Sequence, residues 1–495
     1  MWLCGVAAFV LLGACAHEET RSPTPVSSAP SAGVVGASQN GAVASSPAVP
    51  SPAVAQPPSP PKPPSPAPLP LFAGPSLDGW TLIPAAGVED PAQSFTQAVV
   101  VSDLAVPLYA APDGKHVLGY TGVGMRLPAR KVKGEGCSRG DWYEVTGDAY
   151  LCAADGVKLE PLSEHTAVLD AVAKKRVPRL DRANPYRYGK ARRAAPLLTR
   201  VPTAEELTAL DTGSPAKGLL KQVLNGTYLL SLVDHVKEGG TAFYRTLAGG
   251  YVREKDVKPF VRSPMHGEHL GKRVRLPLAF AARVTPLYCV DREEPTPCGL
   301  AEKHARFKAG DEVTRGGRRF LLVRDHLMAP RENVRVARAI KRPKGVTRSE
   351  KWIHIDLSEQ TLVAYSGDKP VFATLVSSGK AGHDTPDGLF QVRRAYLTKV
   401  MNGKDDDGPY SVQEVPWTMY FHGNYALHGA YWHDVFGNTR SHGCVNIPTV
   451  DARWLFYWTK PLPEGWTART DFHGVHVYVT GKAPPNGETD GAKAS

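Results

Sequence analysis

The sequence predicts a mostly β protein with several domains, preceded by a low-complexity segment. Short apolar segments that alternate with polar residues and end at glycine-containing turns occupy residues 98–342 and 350–480, and this pattern is typical of strands. A chain of 495 residues suggests roughly two to four domains. Its 42% hydrophobic residues exclude disorder throughout, whereas the excess of proline (44) and glycine (47) over average usage indicates a linker.

Residues 1–15 have the composition of a lipoprotein signal peptide. A short apolar run over residues 2–14 ends in small residues, and it is too short to span a bilayer. The sequence Leu-Gly-Ala-Cys at residues 12–15 resembles a bacterial lipobox, which predicts that Cys15 carries lipid and becomes the new N-terminus. No lysine or arginine precedes the apolar run, and a buried N-terminal helix is the alternative.

Residues 16–75 are dominated by proline, alanine, serine, glycine and valine. Such a segment cannot bury enough apolar surface to offset its ordering entropy, so we predict a disordered linker. Together with Cys15 it predicts an exported, periplasmic protein of the bacterial envelope, anchored to a membrane by lipid. We also predict a flexible tail over residues 481–495.

Five of the seven cysteines lie beyond the predicted signal peptide: Cys137, Cys152, Cys289, Cys298 and Cys444. The first two are 15 residues apart in one strand-rich block, and the next two are 9 apart in another. In an exported protein the simplest pairing is two local disulfides, Cys137–Cys152 and Cys289–Cys298, which leaves Cys444 as a reactive thiol. Five reduced thiols in a cytosolic chain are the alternative.

Three blocks between residues 98 and 342 share an order of short segments. The most similar segments are Trp-Tyr-Glu-Val at residues 142–145, Phe-Tyr-Arg-Thr at 243–246 and Phe-Leu-Leu-Val at 320–323. We predict three small β-modules, the second of which follows a basic segment: residues 98–162, 163–275 and 276–342. They resemble Src-homology-3-like barrels, which often accompany cell-wall enzymes. Wall binding and a spacer role without a ligand are both open.

The formal net charge of +11 comes in part from residues 174–193, where tyrosines interrupt a basic segment. Basic segments with aromatic residues can bind nucleic acid. In an exported chain, an anionic envelope polymer or plain solvation accounts better for the charge. We favour a solvated face and predict no nucleic-acid partner.

The residues with chemistry lie in the C-terminal β-rich segment. His428-Gly429 is followed, after a gap of eleven residues, by Ser-His-Gly-Cys-Val-Asn at residues 441–446. Because the thiolate is the nucleophile, a catalytic cysteine needs a neighbouring imidazole, which we expect to lower the pKa of the Cys444 thiol. Residues two apart share a face in an extended segment, so His442 is expected beside the thiol. A strand-loop-strand return is expected to bring His428 opposite.

The residues next to Cys444 have two further features. Gly443 allows close approach to a substrate and leaves backbone N–H groups for an oxyanion. Thr449 is predicted to cap a helix that buries Val450, Trp454 and Trp458, which are spaced as on one helical face.

Taken together, these motifs strongly resemble the signature of the L,D-transpeptidase catalytic domain. Asp-Leu-Ser-Glu-Gln at residues 356–360 and Thr-Pro-Asp-Gly at 385–388 match its earlier landmarks, and the resemblance extends over residues 350–480. It implies acyl transfer on peptidoglycan, in which Cys444 attacks the third residue of a tetrapeptide stem. His428 would donate and accept the proton, and the terminal D-alanine would leave.

The resemblance implies further roles. The backbone N–H groups of Gly443 and Cys444 would hold the oxyanion, and His442 would position the thiol or line the same hole. Ser441 and Asn446 would support the loop or contact the substrate. An amine of another stem would then resolve the acyl-enzyme, and we expect a monomer that uses no cofactor.

Other functions compete with this interpretation. Water as the acceptor would give an L,D-carboxypeptidase or an amidase of the same fold. A non-catalytic lipoprotein that tethers the envelope is a candidate of another class, although it would need no free thiol. Six histidines also suggest zinc, but no ligand spacing such as His-Glu-x-x-His is present, and we predict no metal. These six are His422, His428, His433, His442, His473 and His476.

Overall fold

The computed structural model describes residue 95 and residues 97–484, apart from residues 155, 163–168, 170, 325, 406 and 407. The signal peptide, Cys15, the linker and all but the first four residues of the tail lie outside the described residues. Strands dominate the described part, which confirms the prediction of a mostly β fold. No helix among the described residues is long and apolar enough to cross a bilayer.

The first module is an antiparallel sheet of seven strands in the order β7-β1-β4-β5-β6-β2-β3. A disulfide joins Cys137 to Cys152, and so ties the loop before β5 to β6. Valine and leucine side chains from β1, β2, β4 and β6 fill its core. The strands are β1 (Gln97–Val101), β2 (Val106–Tyr109), β3 (Val117–Thr121), β4 (Arg126–Val132), β5 (Asp141–Val145), β6 (Ala149–Ala153) and β7 (Val157–Pro161).

The second module begins with helix α1 (Ala171–Arg176) and carries helix α2 (Ala204–Asp211) between two of its strands. Thr203 and Glu206 form a capping box that starts α2, which satisfies backbone N–H groups at its first turn. The strand order is β14-β8-β11-β12-β13-β9-β10. These strands are β8 (Arg187–Ala191), β9 (Ala195–Leu198), β10 (Leu220–Leu224), β11 (Thr227–Glu238), β12 (Thr241–Thr246), β13 (Tyr251–Arg253) and β14 (Val257–Pro259).

The third module packs a three-stranded sheet, β19-β16-β23, against a five-stranded one, β18-β17-β22-β21-β20. A disulfide between Cys289 and Cys298 joins β17 to β18. The short strand β15 (Glu268–His269) precedes this module. The module's strands are β16 (Leu278–Ala281), β17 (Thr285–Cys289), β18 (Pro297–Ala301), β19 (Arg306–Lys308), β20 (Glu312–Arg315), β21 (Arg318–Arg324), β22 (Leu327–Pro330) and β23 (Val334–Ala337).

The C-terminal domain contains two sheets and helix α3 (Thr449–Thr459). One sheet has the order β15-β26-β25-β24-β33-β27, and the other runs β32-β28-β29-β30-β31. Side chains from both sheets and α3 form one buried cluster around Ile353, Trp417 and Phe456. The strands are β24 (Lys351–Asp356), β25 (Thr361–Ser366), β26 (Lys369–Leu375), β27 (Gly388–Gln391), β28 (Arg394–Asp405), β29 (Gly408–His422), β30 (Tyr425–Gly429), β31 (Val445–Ile447), β32 (Ala468–Thr470) and β33 (His476–Thr480).

Backbone pairing joins the C-terminal domain to the first two modules. Strand β3 of the first module pairs with β32, and β11 of the second module pairs in parallel with the start of β29. Strand β15 lies within the predicted second module but pairs with β26 of the C-terminal domain. The structure therefore continues sheets across boundaries at which the sequence pattern predicts separate modules.

Helix α3 differs from its prediction at both its cap and its buried face. Pro448, not Thr449, occupies the N-cap position and makes no side-chain hydrogen bond there. Ala452, Leu455 and Phe456 are buried among the core residues, as is the Asp451 carboxyl. Trp454 and Trp458 are only partly buried. They stack on each other, and Trp454 also stacks on Phe372 of β26.

Glu359, in the motif at residues 356–360, connects the third module to the C-terminal domain. Its carboxylate accepts a hydrogen bond from Arg331 and another, at 2.9 Å, from the Val336 backbone N–H. Glu359 is only 8% exposed, so the Val336 N–H depends on it rather than on water, whereas Arg331 also donates to Glu312 at 2.6 Å.

We expect Glu359→Ala to lower the free energy of unfolding by about 2 kcal/mol, because it leaves the buried Val336 N–H without a partner and removes one of the two carboxylates that pair with Arg331, which keeps Glu312. Differential scanning calorimetry checks this as a lower unfolding midpoint. The matched control is Glu332→Ala, which removes the exposed pair with Arg318 in the same module and should cost at most about 1 kcal/mol. Equal losses in the two variants would contradict the assigned role of Glu359.

Candidate active site

Cys444 lies at the end of a bent loop, immediately before β31. Residues 442–444 form a bend, and Gly443 has φ of 112°. The segment is therefore not extended, which corrects the premise on which His442 was expected beside the thiol. A side chain at position 443 would also meet the ring of Tyr425, because an added Cβ would lie 2.5 Å from it. Both the backbone angle and the contact require glycine here.

Two hydroxyl groups fix this loop. The Thr385 hydroxyl donates to Gly443 O at 2.7 Å and accepts from Gly379 N–H at 2.9 Å. The Ser441 hydroxyl donates to the Cys444 carbonyl oxygen and accepts from Gly443 N–H at 3.0 Å. Thr385 of the motif at residues 385–388 therefore supports the loop. The expected oxyanion donor Gly443 N–H is already engaged by Ser441.

His428 reaches the loop through a parallel strand pair. Strands β30 and β31 pair in parallel, with Leu427 opposite Val445 and His428 opposite Asn446. The strand-loop-strand return expected from the sequence is thus present. The His428 ring is buried, and its Nδ1 lies 3.3 Å from the Gly429 carbonyl oxygen, which can only accept. Nδ1 therefore carries the proton, and Nε2 is the basic nitrogen.

Burial sets the charge state of both groups. It lowers the pKa of His428 to about 4, so the imidazole is neutral at pH 7. It also raises the pKa of the Cys444 thiol, and a backbone hydrogen bond from Ala426 offsets only part of that rise. The resting pair is a neutral thiol and a neutral imidazole, in contrast to the expected lowering of the thiol pKa. The thiol donates to the Asn424 carbonyl oxygen at 3.6 Å.

The structure places His442 among other rings. Its centroid lies 4.7 Å from that of His383, edge to face, and 5.4 Å from that of Tyr410, nearly parallel. His442 is exposed, whereas Cys444 is only partly exposed. The ring contacts of His442 with His383 and Tyr410 suit a role in supporting the loop.

Asn446 has a partner that the sequence patterns did not assign. Its side-chain amide lies 2.9 Å from Nε2 of His433, and the Val435 backbone N–H donates to Nδ1 of the same ring at 3.3 Å. Burial, with Arg440 nearby, lowers the pKa of His433 well below its usual range, so this ring is neutral too. The sequence analysis considered His433 only as a candidate zinc ligand. Its position between the motifs at residues 428–429 and 441–446 was the one feature of the sequence that could have indicated a contact with Asn446.

Contacts from other modules hold the segment between His428 and Cys444. Asp434 accepts hydrogen bonds from Ser263 and forms an ion pair with Lys303 at 3.1 Å. Arg335 of β23 donates to Gly437 O at 2.7 Å. Among the described residues, no group of three or more histidine, cysteine, aspartate or glutamate side chains is arranged to hold a metal ion.

The Tyr431 ring stacks on Tyr188 of the second module, with centroids 3.7 Å apart. Trp432 packs against the same cluster, and its centroid lies 5.7 Å from that of His428. The second module therefore touches the residues that surround the basic histidine.

The charge states above predict the pH dependence of Cys444 alkylation by iodoacetamide. Because the pKa of the Cys444 thiol is raised, the thiolate fraction at pH 7 is small. An ordinary thiol has a pKa of about 8.5, so the alkylation rate of Cys444 should still be rising above that pH. Alkylation rates measured by mass spectrometry between pH 5 and 10 check this, with Cys444→Ala as the control. A rate plateau below pH 7 would instead indicate a thiolate–imidazolium pair.

The residues of this site lie in a segment that is similar to a known family. Residues 350–479 match the family model of the L,D-transpeptidase catalytic domain. The comparison with curated proteins finds no match.

Solved L,D-transpeptidase structures are also similar to this chain. The catalytic domain from E. faecium is 27% identical, with 27% of this chain and 98% of that chain covered and a TM-score of 0.22. The enzyme from Stackebrandtia nassauensis is 23% identical over 30% of this chain, with a TM-score of 0.21, and the match spans only 61% of its length. The enzyme from Mycobacterium smegmatis is 19% identical, with 34% and 80% covered and a TM-score of 0.23. The family match confirms residues 350–479 as an L,D-transpeptidase catalytic domain.

Proposed function

We propose that the protein is an L,D-transpeptidase that acts on peptidoglycan tetrapeptide stems, with Cys444 as its nucleophile. The observation that carries this proposal is the parallel pair of β30 and β31, which sets His428 beside the loop that ends in Cys444 within the matched domain. In the part of the chain that the structure describes, Cys444 is also the one free cysteine. A nucleophile and an adjacent neutral base are the two groups that acyl transfer requires.

Acylation begins from the neutral pair. The Cys444 sulfur attacks the carbonyl carbon of the third stem residue, a diamino acid, while His428 Nε2 accepts the thiol proton. The C–N bond to the terminal D-alanine then breaks, and His428 returns the proton to the leaving amine. Since burial lowers the pKa of His428 to about 4, its imidazolium is a strong acid and gives up that proton readily.

Transfer completes the cycle. The side-chain amine of a second stem attacks the thioester, a C–N bond forms, and the C–S bond breaks. His428 accepts a proton from the attacking amine and returns it to the departing sulfur of Cys444. The thiol first has to leave the Asn424 carbonyl, to which it donates in the resting state.

The loop residues support this chemistry. The oxyanion would lie near the backbone N–H groups of Gly443 and Cys444, and Gly443 N–H would exchange its bond to Ser441 for one to substrate. Asn446 is held by His433 and pairs its backbone with Ser377, so it fixes the start of β31. We assign Ser441, His442 and Asn446 supporting roles.

We further propose that the protein is an exported lipoprotein held at a membrane by Cys15. The two disulfides of the modules suit an oxidising compartment, and residues 1–15 have the pattern of a lipoprotein signal.

Cell fractionation tests the anchor. Cys15→Ala should leave the membrane fraction, because acyl chains contribute about 0.8 kcal/mol per buried methylene and the variant lacks them. Cys4→Ala, in the part of the signal peptide that is removed, is the control and should stay at the membrane. A Cys15→Ala protein that remained membrane-bound would refute the lipid anchor.

The product formed from a disaccharide-tetrapeptide tests the reaction. We expect a cross-linked dimer that lacks one D-alanine, and no product with Cys444→Ala. His428→Ala should lower the acylation rate by a factor of about 100–10,000, the usual contribution of a general base. His442→Ala should lower it less, because the His442 ring packs on His383 and Tyr410.

Liquid chromatography with mass spectrometry separates the possible outcomes. A tripeptide without a dimer would identify water as the acceptor and make the enzyme an L,D-carboxypeptidase. Unchanged substrate together with an unlabelled Cys444 would support the non-catalytic tethering lipoprotein. A larger loss in His442→Ala than in His428→Ala would exchange the roles of the two histidines.

A further inference from the structure

The second module and the C-terminal domain share one continuous run of strands, β14-β8-β11-β29. Register places four residues in one row across it: Lys258 is opposite Lys190, Lys190 is opposite Leu229, and Leu229 is opposite Val412. Residues directly opposite one another project from the same face of a sheet. The two lysines therefore lie on the face that carries Leu229 and Val412.

The lysine pair is unfavourable for the fold alone. Like charges placed directly opposite each other destabilise a sheet. Both lysines are exposed, and among the described residues neither forms an ion pair. The nearest acidic residues in sequence have other partners, since Asp256 pairs with Arg253 and Glu254 with His235. Two uncompensated cations at one position suggest an anionic ligand.

This face leads to the candidate active site. Leu229 and Val412 belong to the cluster on which Trp432 packs, and the Trp432 ring lies 5.7 Å from that of His428. Two residues further along each strand, and so on the same face, Thr227 is opposite Tyr410. The Tyr410 ring stacks on that of His442, which lies two residues before Cys444. The lysines are thus on the same sheet face as Tyr410, beside the loop that carries the nucleophile.

The spacing matches the length of a peptide stem. Neighbouring strands lie about 4.8 Å apart, so the backbone of Lys190 is about 10 Å, and that of Lys258 about 14 Å, from Val412. An extended tetrapeptide spans up to about 14 Å. A stem that lies along this row can therefore extend from Val412 to both lysines.

We propose that Lys190 and Lys258 form a carboxylate-binding subsite, which the second module contributes to the substrate cleft of the catalytic domain. The inference rests on the proposed function and names its specificity-determining residues. The ligand is a free carboxylate of a peptide stem, on either the donor or the acceptor strand, bound by charge-assisted hydrogen bonds. A stem in which that carboxylate is an amide would lose the interaction.

The test compares wild type with the double variant Lys190→Ala/Lys258→Ala in the full-length protein. With a free-carboxylate tetrapeptide we expect a 10- to 30-fold loss of kcat/KM through KM, with kcat within twofold. This corresponds to about 1.4–2 kcal/mol. With the amidated stem the double variant should match wild type. Arginine at both positions should restore most of the affinity, and added salt should weaken only the wild-type and arginine proteins.

Control variants distinguish a loss of the lysine subsite from a loss of the active site itself. Lys237→Ala/Lys255→Ala removes two exposed cations of the same module outside the row and should leave kcat/KM unchanged. The rate of Cys444 alkylation by iodoacetamide should be equal in every variant if the site stays folded. A loss confined to single-turnover acylation assigns the carboxylate to the donor stem, and a loss confined to transfer assigns it to the acceptor.

Two results would overturn the proposal. Equal kcat/KM in wild type and the double variant, with an active wild type, would remove the subsite and leave the transpeptidase function intact. A wild-type protein that alkylates normally but is not acylated by any tetrapeptide would overturn the proposed function and the subsite with it.

Discussion

The parallel pairing of β30 and β31 is the constraint on which the active site depends. It brings His428 next to the loop that ends in Cys444. Parallel strands cannot be joined by a tight turn, and they need a crossover of about a dozen residues or more, which is usually a helix. Here residues 430–444 make the crossover without a helix. A crossover with few hydrogen bonds of its own must be held by other parts of the chain, because buried backbone groups need partners. Residues after β26 supply backbone partners, since Gly437 N–H donates to Val376 O and the N–H groups of Arg440 and Ser441 donate to Ser378 O. The modules add further contacts through Asp434, Gly437 and Tyr431.

The same constraint explains why the modules join the C-terminal domain through shared sheets. Strand β29 contains two non-glycine residues with positive φ, Glu414 at 49° and Trp417 at 58°, each an unfavourable conformation for an L-residue. Both are held from the second module or the segment before it: Tyr188 donates to Glu414 O at 2.9 Å, and the Trp417 indole donates to Ala183 O at 2.7 Å. A module that stabilises an unfavourable backbone next to the active site contributes to the geometry of that site. This physical role goes beyond that of a spacer.

The sequence motifs predicted the fold class and the candidate site residues, but not the long-range contacts that hold those residues in place. The alternation of apolar residues was enough for the β class, and the motifs at residues 428–429 and 441–446 were enough for the catalytic family, because close spacing along the chain fixes local geometry. The failures involve long-range contacts. Sequence pattern cannot show that Thr385 binds Gly443, that His433 holds Asn446 or that β11 pairs with β29, since each partner is distant along the chain. The buried face of α3 has the same origin, because Ala452, Leu455 and Phe456 pack against side chains of both sheets that are distant along the chain.

Burial also sets the charge states of Cys444 and His428, the two groups that we propose share a proton. Placing a charged thiolate and a charged imidazolium in this site would require desolvating both, and the pKa values move in the directions that avoid it. The neutral pair keeps Cys444 weakly nucleophilic until a substrate is bound. Substrate that displaces water from the loop increases the electrostatic gain from moving the proton to His428, since the field of the developing oxyanion then acts at low dielectric. In the proposed mechanism, the burial of His428 would thereby direct the reactivity of Cys444 to bound substrate rather than to small electrophiles in solution.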